Sequence, residues 1–127
     1  MSLLEGPALA AGGVIVGTLL WSKLGGVKPA RAAELAKQPG TFILNVRTQE
    51  EYSGGHLERS VLIPVQSLPG RLSELPADKK TPILVYCAVG GRSSMAAGIL
   101  KAKGYEAVHD MSGGINAWQS AGFPVVK

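Results

Sequence analysis

The stretch Val85-Tyr86-Cys87-Ala88-Val89-Gly90-Gly91-Arg92-Ser93-Ser94 decides the fold. It begins inside an apolar run, Pro82-Ile83-Leu84-Val85-Tyr86, that reads as a buried strand. Two glycines then permit a tight turn. From Ser93 to Lys103 the apolar residues Ala96, Ala97, Ile99 and Leu100 recur at helical spacing, and Gly104 supplies a stop. Strand, short loop and helix in that order are the repeating unit of an α/β sheet, in which ligands bind beyond the carboxyl ends of the strands. Cys87 is delivered to such an end.

Working outward, the same alternation recurs on both sides. Pro29 suits a first helical turn, and Ala30 to Lys37 continues a helix that Pro39-Gly40 stops. Phe42-Ile43-Leu44-Asn45-Val46 reads as a second buried strand. Thr48 to Glu51 has the pattern of a capping box, opening a helix that ends at Gly54-Gly55. Val61-Leu62-Ile63 is a short strand, Pro69 to Leu75 a helical turn or two, Tyr105 to Val108 a last strand and Gly114 to Ala121 a last helix. Near-continuous apolar strands separated by helices predict an α/β fold with a mostly parallel sheet of about five short strands, covered by helices on both faces.

The loop carries the chemistry. Gly90 and Gly91 allow successive backbone N–H groups to turn inward as an anion-binding nest, and the helix behind them adds partial positive charge. Such surroundings lower the pKa of Cys87 and favour its thiolate. The N–H groups of Ala88, Val89, Gly90, Gly91 and Ser93, with the fork of Arg92, are candidate binders of an anionic group above the sulfur. Arg47 is a further candidate, through either Glu51 or the field at the loop. Glu50, Glu51 and Glu58 read as caps and surface charges, and His56 as a structural hydrogen-bonding residue.

Composition narrows the classes. The chain has 127 residues, a formal charge of +4, 46% hydrophobic and 17% charged residues, which suit one folded domain. One cysteine excludes an intramolecular disulfide, a Cys-x-x-Cys redox pair and a multi-cysteine zinc site, and two separated histidines suggest no metal cage. No metal or organic cofactor is expected. The basic residues are dispersed, so nucleic acid is not an expected partner.

Four places together resemble the rhodanese (thiosulfate sulfurtransferase) homology domain: Asn45 to Tyr52, Gly55-His56-Leu57, Cys87 to Ser93, and Gly113-Gly114-Ile115-x-x-Trp118. The resemblance implies a rhodanese-like fold in which Cys87 takes a sulfane sulfur as a persulfide. The donor is then thiosulfate or another persulfidic molecule, and the acceptor cyanide or a thiol. It aligns Arg92 with the anion-binding position and Arg47 with the arginine after the first strand. Four residues separate Cys87 from Arg92, where phosphatases of related fold have five, which fits sulfur better than phosphate. The chain departs from the family at Asn45, usually Asp, at Ala88, often basic, and at Glu58-Arg59-Ser60, usually Pro-Gly-Ala. The alternative is a sulfur carrier or binding module of the same fold without turnover.

The first 27 residues read differently from residues 28–127, the expected rhodanese-like domain. Gly6 to Ser22 are 17 residues without a charge, about 25 Å as a helix, flanked by Trp21 and Lys23. Residues 3–22 are therefore expected to form an N-terminal hydrophobic helix that anchors the chain in a membrane. Gly13 and Gly17 would permit a homodimer. Lys23, Lys28 and Arg31 put the catalytic domain on the cytoplasmic side. The alternatives are a soluble cytoplasmic chain or export to the periplasm.

Overall fold

The computed structural model describes residues 26–127. The expected hydrophobic helix and its glycine pair lie outside them. Among the described residues, no helix is long and apolar enough to cross a membrane.

Four α-helices and four strands make up the described residues. They are α1 (Pro29–Lys37), β1 (Phe42–Asn45), α2 (Gln49–Ser53), β2 (Val61–Leu62), β3 (Ile83–Tyr86), α3 (Gly91–Ala102), β4 (Val108–Asp110) and α4 (Gly114–Ser120). Two 3-10 helices, Val65–Gly70 and Leu72–Glu74, lie between β2 and β3. The sheet runs β2-β1-β3-β4, every pair parallel, with Leu44 opposite Val61 on one side of β1 and Val85 on the other.

Among the described residues the sheet has four strands rather than about five. Beyond β4 there is a single parallel bridge, Val27 to Met111. The last strand also begins later than Tyr105. Tyr105 is buried in the core with its hydroxyl donating to Pro76 O at 2.6 Å, and Glu106 N–H donates to Lys79 O. Those residues are thus held by the loop before β3, and it is the more polar Val108-His109-Asp110 that pairs with β3.

Side chains alternate across the sheet with the period of two that a strand imposes. Leu44, Ile83, Val85 and Cys87 face one core with Leu68 of the first 3-10 helix and with Ala96, Ala97 and Leu100 of α3. Ile43, Leu84 and Tyr86 face the other core, with Ala32 and Leu35 of α1 and with Ile115 and Trp118 of α4. Both faces are covered, as a parallel sheet requires. The alternation puts Cys87, one residue past β3, on the α3 side.

Candidate functional site

The Cys87 residue is 1% exposed. Its Sγ accepts hydrogen bonds from Gly90 N–H at 3.0 Å and Ser93 N–H at 3.4 Å. Gly90 makes this turn possible: its φ of +127° is a backbone conformation that side chains disfavour. The helix starts at Gly91, two residues earlier than its apolar pattern suggested, with Gly90 as its N-cap. The first N–H groups of α3 have no partner within the helix and are free to face the sulfur. Burial pushes the Cys87 thiol pKa up. Contacts from the Ser93 hydroxyl and from the N–H groups of Ser93, Gly90 and Val89 outweigh it and bring the pKa below its ordinary 9.0.

Ser93 is fully buried and links the sulfur to a carboxylate. Its Oγ lies 3.5 Å from Cys87 Sγ and donates to Asp110 Oδ1 at 2.6 Å, while Ser94 Oγ donates to Asp110 Oδ2 at 2.9 Å. A hydroxyl has one proton, so Ser93 serves either Asp110 or the thiolate at a given moment.

Arg92 is engaged within the protein. Its Nη1 and Nη2 donate to Glu51 Oε1 at 2.7 Å and Oε2 at 2.9 Å. Hydrogen bonds from Arg92, chiefly, lower the Glu51 pKa from 4.5 to about 2 against the opposing effect of burial. The same carboxylate closes the capping box: Thr48 N–H donates to Glu51 Oε1 and Glu51 N–H donates to Thr48 Oγ1. Glu51 is therefore more than a cap.

The expected pairing of Arg47 with Glu51 is not what the structure shows. Arg47 is buried, donates to Asn45 Oδ1 at 3.2 Å and to Gly55 O at 2.6 Å, and lies against the Tyr86 ring. Those partners hold together the chain after β1 and the loop at Gly55; Glu51 belongs to Arg92. Asn45 also donates to Tyr86 Oη at 2.9 Å, and Tyr86 Oη donates to Ser60 Oγ and accepts from Leu57 N–H. A neutral amide fits there because it must donate to one partner and accept from another. His56 stacks on Tyr52 and its Nδ1 lies 2.8 Å from Tyr52 O, a structural role.

The backbone of the loop is fixed from behind by α4. Ile115 N–H donates to Cys87 O at 2.9 Å and Asn116 N–H to Ala88 O at 3.1 Å. Ala88 thus contributes its carbonyl to the scaffold. Gly114, at φ +60°, leaves no room for a side chain: a Cβ there would stand 2.4 Å from both carbonyl oxygens. Val89, 66% exposed, and Met95, 63% exposed, are apolar residues on the surface of the loop and of α3. A separate cavity of about 410 Å³ lies between α1 and α4, walled by Ala33, Leu57, Arg59, Trp118 and Phe123, and shares no wall with the Cys87 loop.

Residues 28–121 match the family model described as Rhodanese-like domain. The chain belongs to the rhodanese-like family. A protein of Allochromatium vinosum named Sulfurtransferase is 34% identical over 92 residues, 72% of this chain and 84% of that protein. A tRNA uridine(34) hydroxylase of Chlamydia caviae is 30% identical over 101 residues, 75% of this chain but 30% of the hydroxylase. Among solved structures, a rhodanese-related protein from Thermoplasma volcanium superposes with a TM-score of 0.71 at 31% identity, covering 80% of this chain and 96% of that one. The rhodanese-like domain thus forms most of some relatives and a minor part of others.

Proposed function

We propose that this chain is a sulfurtransferase that moves a sulfane sulfur through a persulfide on Cys87. The observation that carries this reading is the sulfur itself. Sγ sits beyond the end of β3 and accepts N–H bonds from Gly90 and Ser93 at the start of α3. A thiolate held by backbone dipoles is poised to attack a terminal sulfur without a general base. In the first step Cys87 Sγ attacks the outer sulfur of thiosulfate or another persulfidic donor. The donor's bond to that sulfur breaks, and its electron pair leaves with sulfite or with the donor thiolate. In the second step a thiolate or cyanide attacks the outer sulfur of the Cys87 persulfide and regenerates the thiolate. The named sulfurtransferase relative supports turnover over mere carriage.

Intact mass decides the reading. Incubation with a sulfane donor should add one sulfur, about 32 Da, which cyanide or dithiothreitol removes. Cys87→Ser should lose both the mass gain and thiocyanate formation while keeping its circular dichroism spectrum. Turnover retained in the serine variant sinks the proposal. Persulfide loading without catalytic thiocyanate formation assigns the chain to sulfur carriage instead.

We propose further, from the uncharged run Gly6 to Ser22, that the chain is anchored in a membrane with its catalytic domain cytoplasmic. Recovery of the full chain in the carbonate-soluble fraction without detergent refutes the anchor.

A further inference from the structure

We propose that Glu51 filters sulfur donors by charge, setting the Cys87 loop against the thiosulfate dianion and toward a sulfane sulfur carried on an organic thiol. This inference rests on the sulfurtransferase reading and narrows its substrate class.

Among the described residues, three charged side chains contact the loop or the group next to its sulfur. Arg92 gives both of its terminal nitrogens to Glu51, at 2.7 and 2.9 Å. Glu51 cannot swing away freely, because its Oε1 also accepts Thr48 N–H at 2.9 Å in the helix cap. Asp110 places a second carboxylate one hydroxyl away from the sulfur, 2.6 Å from Ser93 Oγ, which is itself 3.5 Å from Cys87 Sγ. Arg92, Glu51 and Asp110 therefore sum to one negative charge, which adds to that of the Cys87 thiolate. The position after Cys87 is Ala88, so the loop itself supplies no second cation beside Arg92.

A dianionic donor has to separate Arg92 from Glu51 or enter without a cation. The remaining anion-binding groups, backbone N–H groups at a helix start, suit one charge at the sulfur. A persulfide of an organic thiol needs no more than that. Cys87–S⁻ attacks the outer sulfur of R–S–SH, the S–S bond of the donor breaks, and R–S⁻ departs with the electron pair. The product is Cys87–S–SH, so charge and atoms balance. Val89, largely exposed in the loop itself, offers apolar surface to the organic group R.

The test compares two donors of like chemistry and unlike charge, thiosulfate and methanethiosulfonate, the second carrying one negative charge. Loading of Cys87 in the full chain is followed by intact mass. Glu51→Gln keeps a side chain that can close a capping box but releases Arg92. It should raise the ratio of thiosulfate loading to methanethiosulfonate loading about tenfold. Adding Arg92→Met to that variant should return the ratio to within about threefold of the native chain. Glu51→Ala gives the same reading should the glutamine variant fail to fold. A ratio that stays within twofold of native when Arg92 is released overturns the filter alone. So does a gain that survives loss of Arg92. Absence of loading from both donors overturns the sulfurtransferase reading and the filter with it.

Discussion

Gly114 shows how a residue remote from the sulfur sets the loop. Its missing side chain lets α4 approach until Ile115 and Asn116 bond the carbonyls of Cys87 and Ala88. Gly114→Ala would place a methyl against two backbone oxygens at a positive φ, where a side chain is already disfavoured. The expected cost is about 2–4 kcal/mol in urea denaturation, with persulfide loading slowed by at least tenfold in the folded fraction. Retained stability and loading would show that the loop does not depend on α4. The Gly113-Gly114 pair was visible in the sequence, yet its purpose was not, since nothing local reveals that a helix start will touch a strand end 27 residues earlier. Cys87, Gly90 and Ser93 were legible because strand, turn and helix start are adjacent in the chain. Asp110 was hidden for the reason that hid Gly114: it reaches Ser93 from across the fold, 17 residues away in sequence.

At the scale of elements, α2 and α3 are tied through one carboxylate. The cap at Thr48 could be read from spacing, and the structure bears it out. The bond from Arg92 spans 41 residues, which no local pattern encodes. It gives the protein an acid sensitivity of definite sign. The Glu51 pKa is lowered from 4.5 to about 2, so the pair contributes its full stability above about pH 4.5. That contribution is lost as pH falls toward 2, because the folded state must then accept a proton it holds weakly. Arg92 and Glu51 remain 35% and 32% exposed, and solvent screening limits the effect to about 1 kcal/mol. Urea midpoints between pH 6 and pH 2 should fall less steeply in Glu51→Gln than in the native chain. Parallel slopes would mean that the ion pair adds nothing.

For the whole molecule, the parallel sheet covered on both faces followed from the apolar runs and their helical spacers. Boundaries were harder. The strand at Tyr105 moved because a tyrosine with β character found a better site in the core, with its hydroxyl on Pro76. Among the described residues, only the single bridge at Val27 extends the sheet past β4. The sheet centre is where stability concentrates. Leu44 is fully buried on β1 between β2 and β3, so Leu44→Ala should cost about 3 kcal/mol. The urea midpoint should drop while its slope holds. A loss below about 1 kcal/mol would mean that the core collapses around the vacancy.

The depth of Cys87 has a consequence for regiochemistry. With the residue 1% exposed, a reagent must reach Sγ end-on, through a terminal atom with no substituent behind it on the near side. A sulfane sulfur has that shape. An internal disulfide, flanked by carbon on both sides, does not. Once loaded, the inner sulfur stays shielded while the new atom stands about 2 Å further out along the S–S bond. An incoming thiol then meets the outer sulfur and carries it away, where attack on the inner one would expel the sulfur as hydrosulfide and leave a mixed disulfide. The same burial that makes a reactive cysteine hard to oxidise by bulky reagents also directs which of two chemically similar bonds is cut.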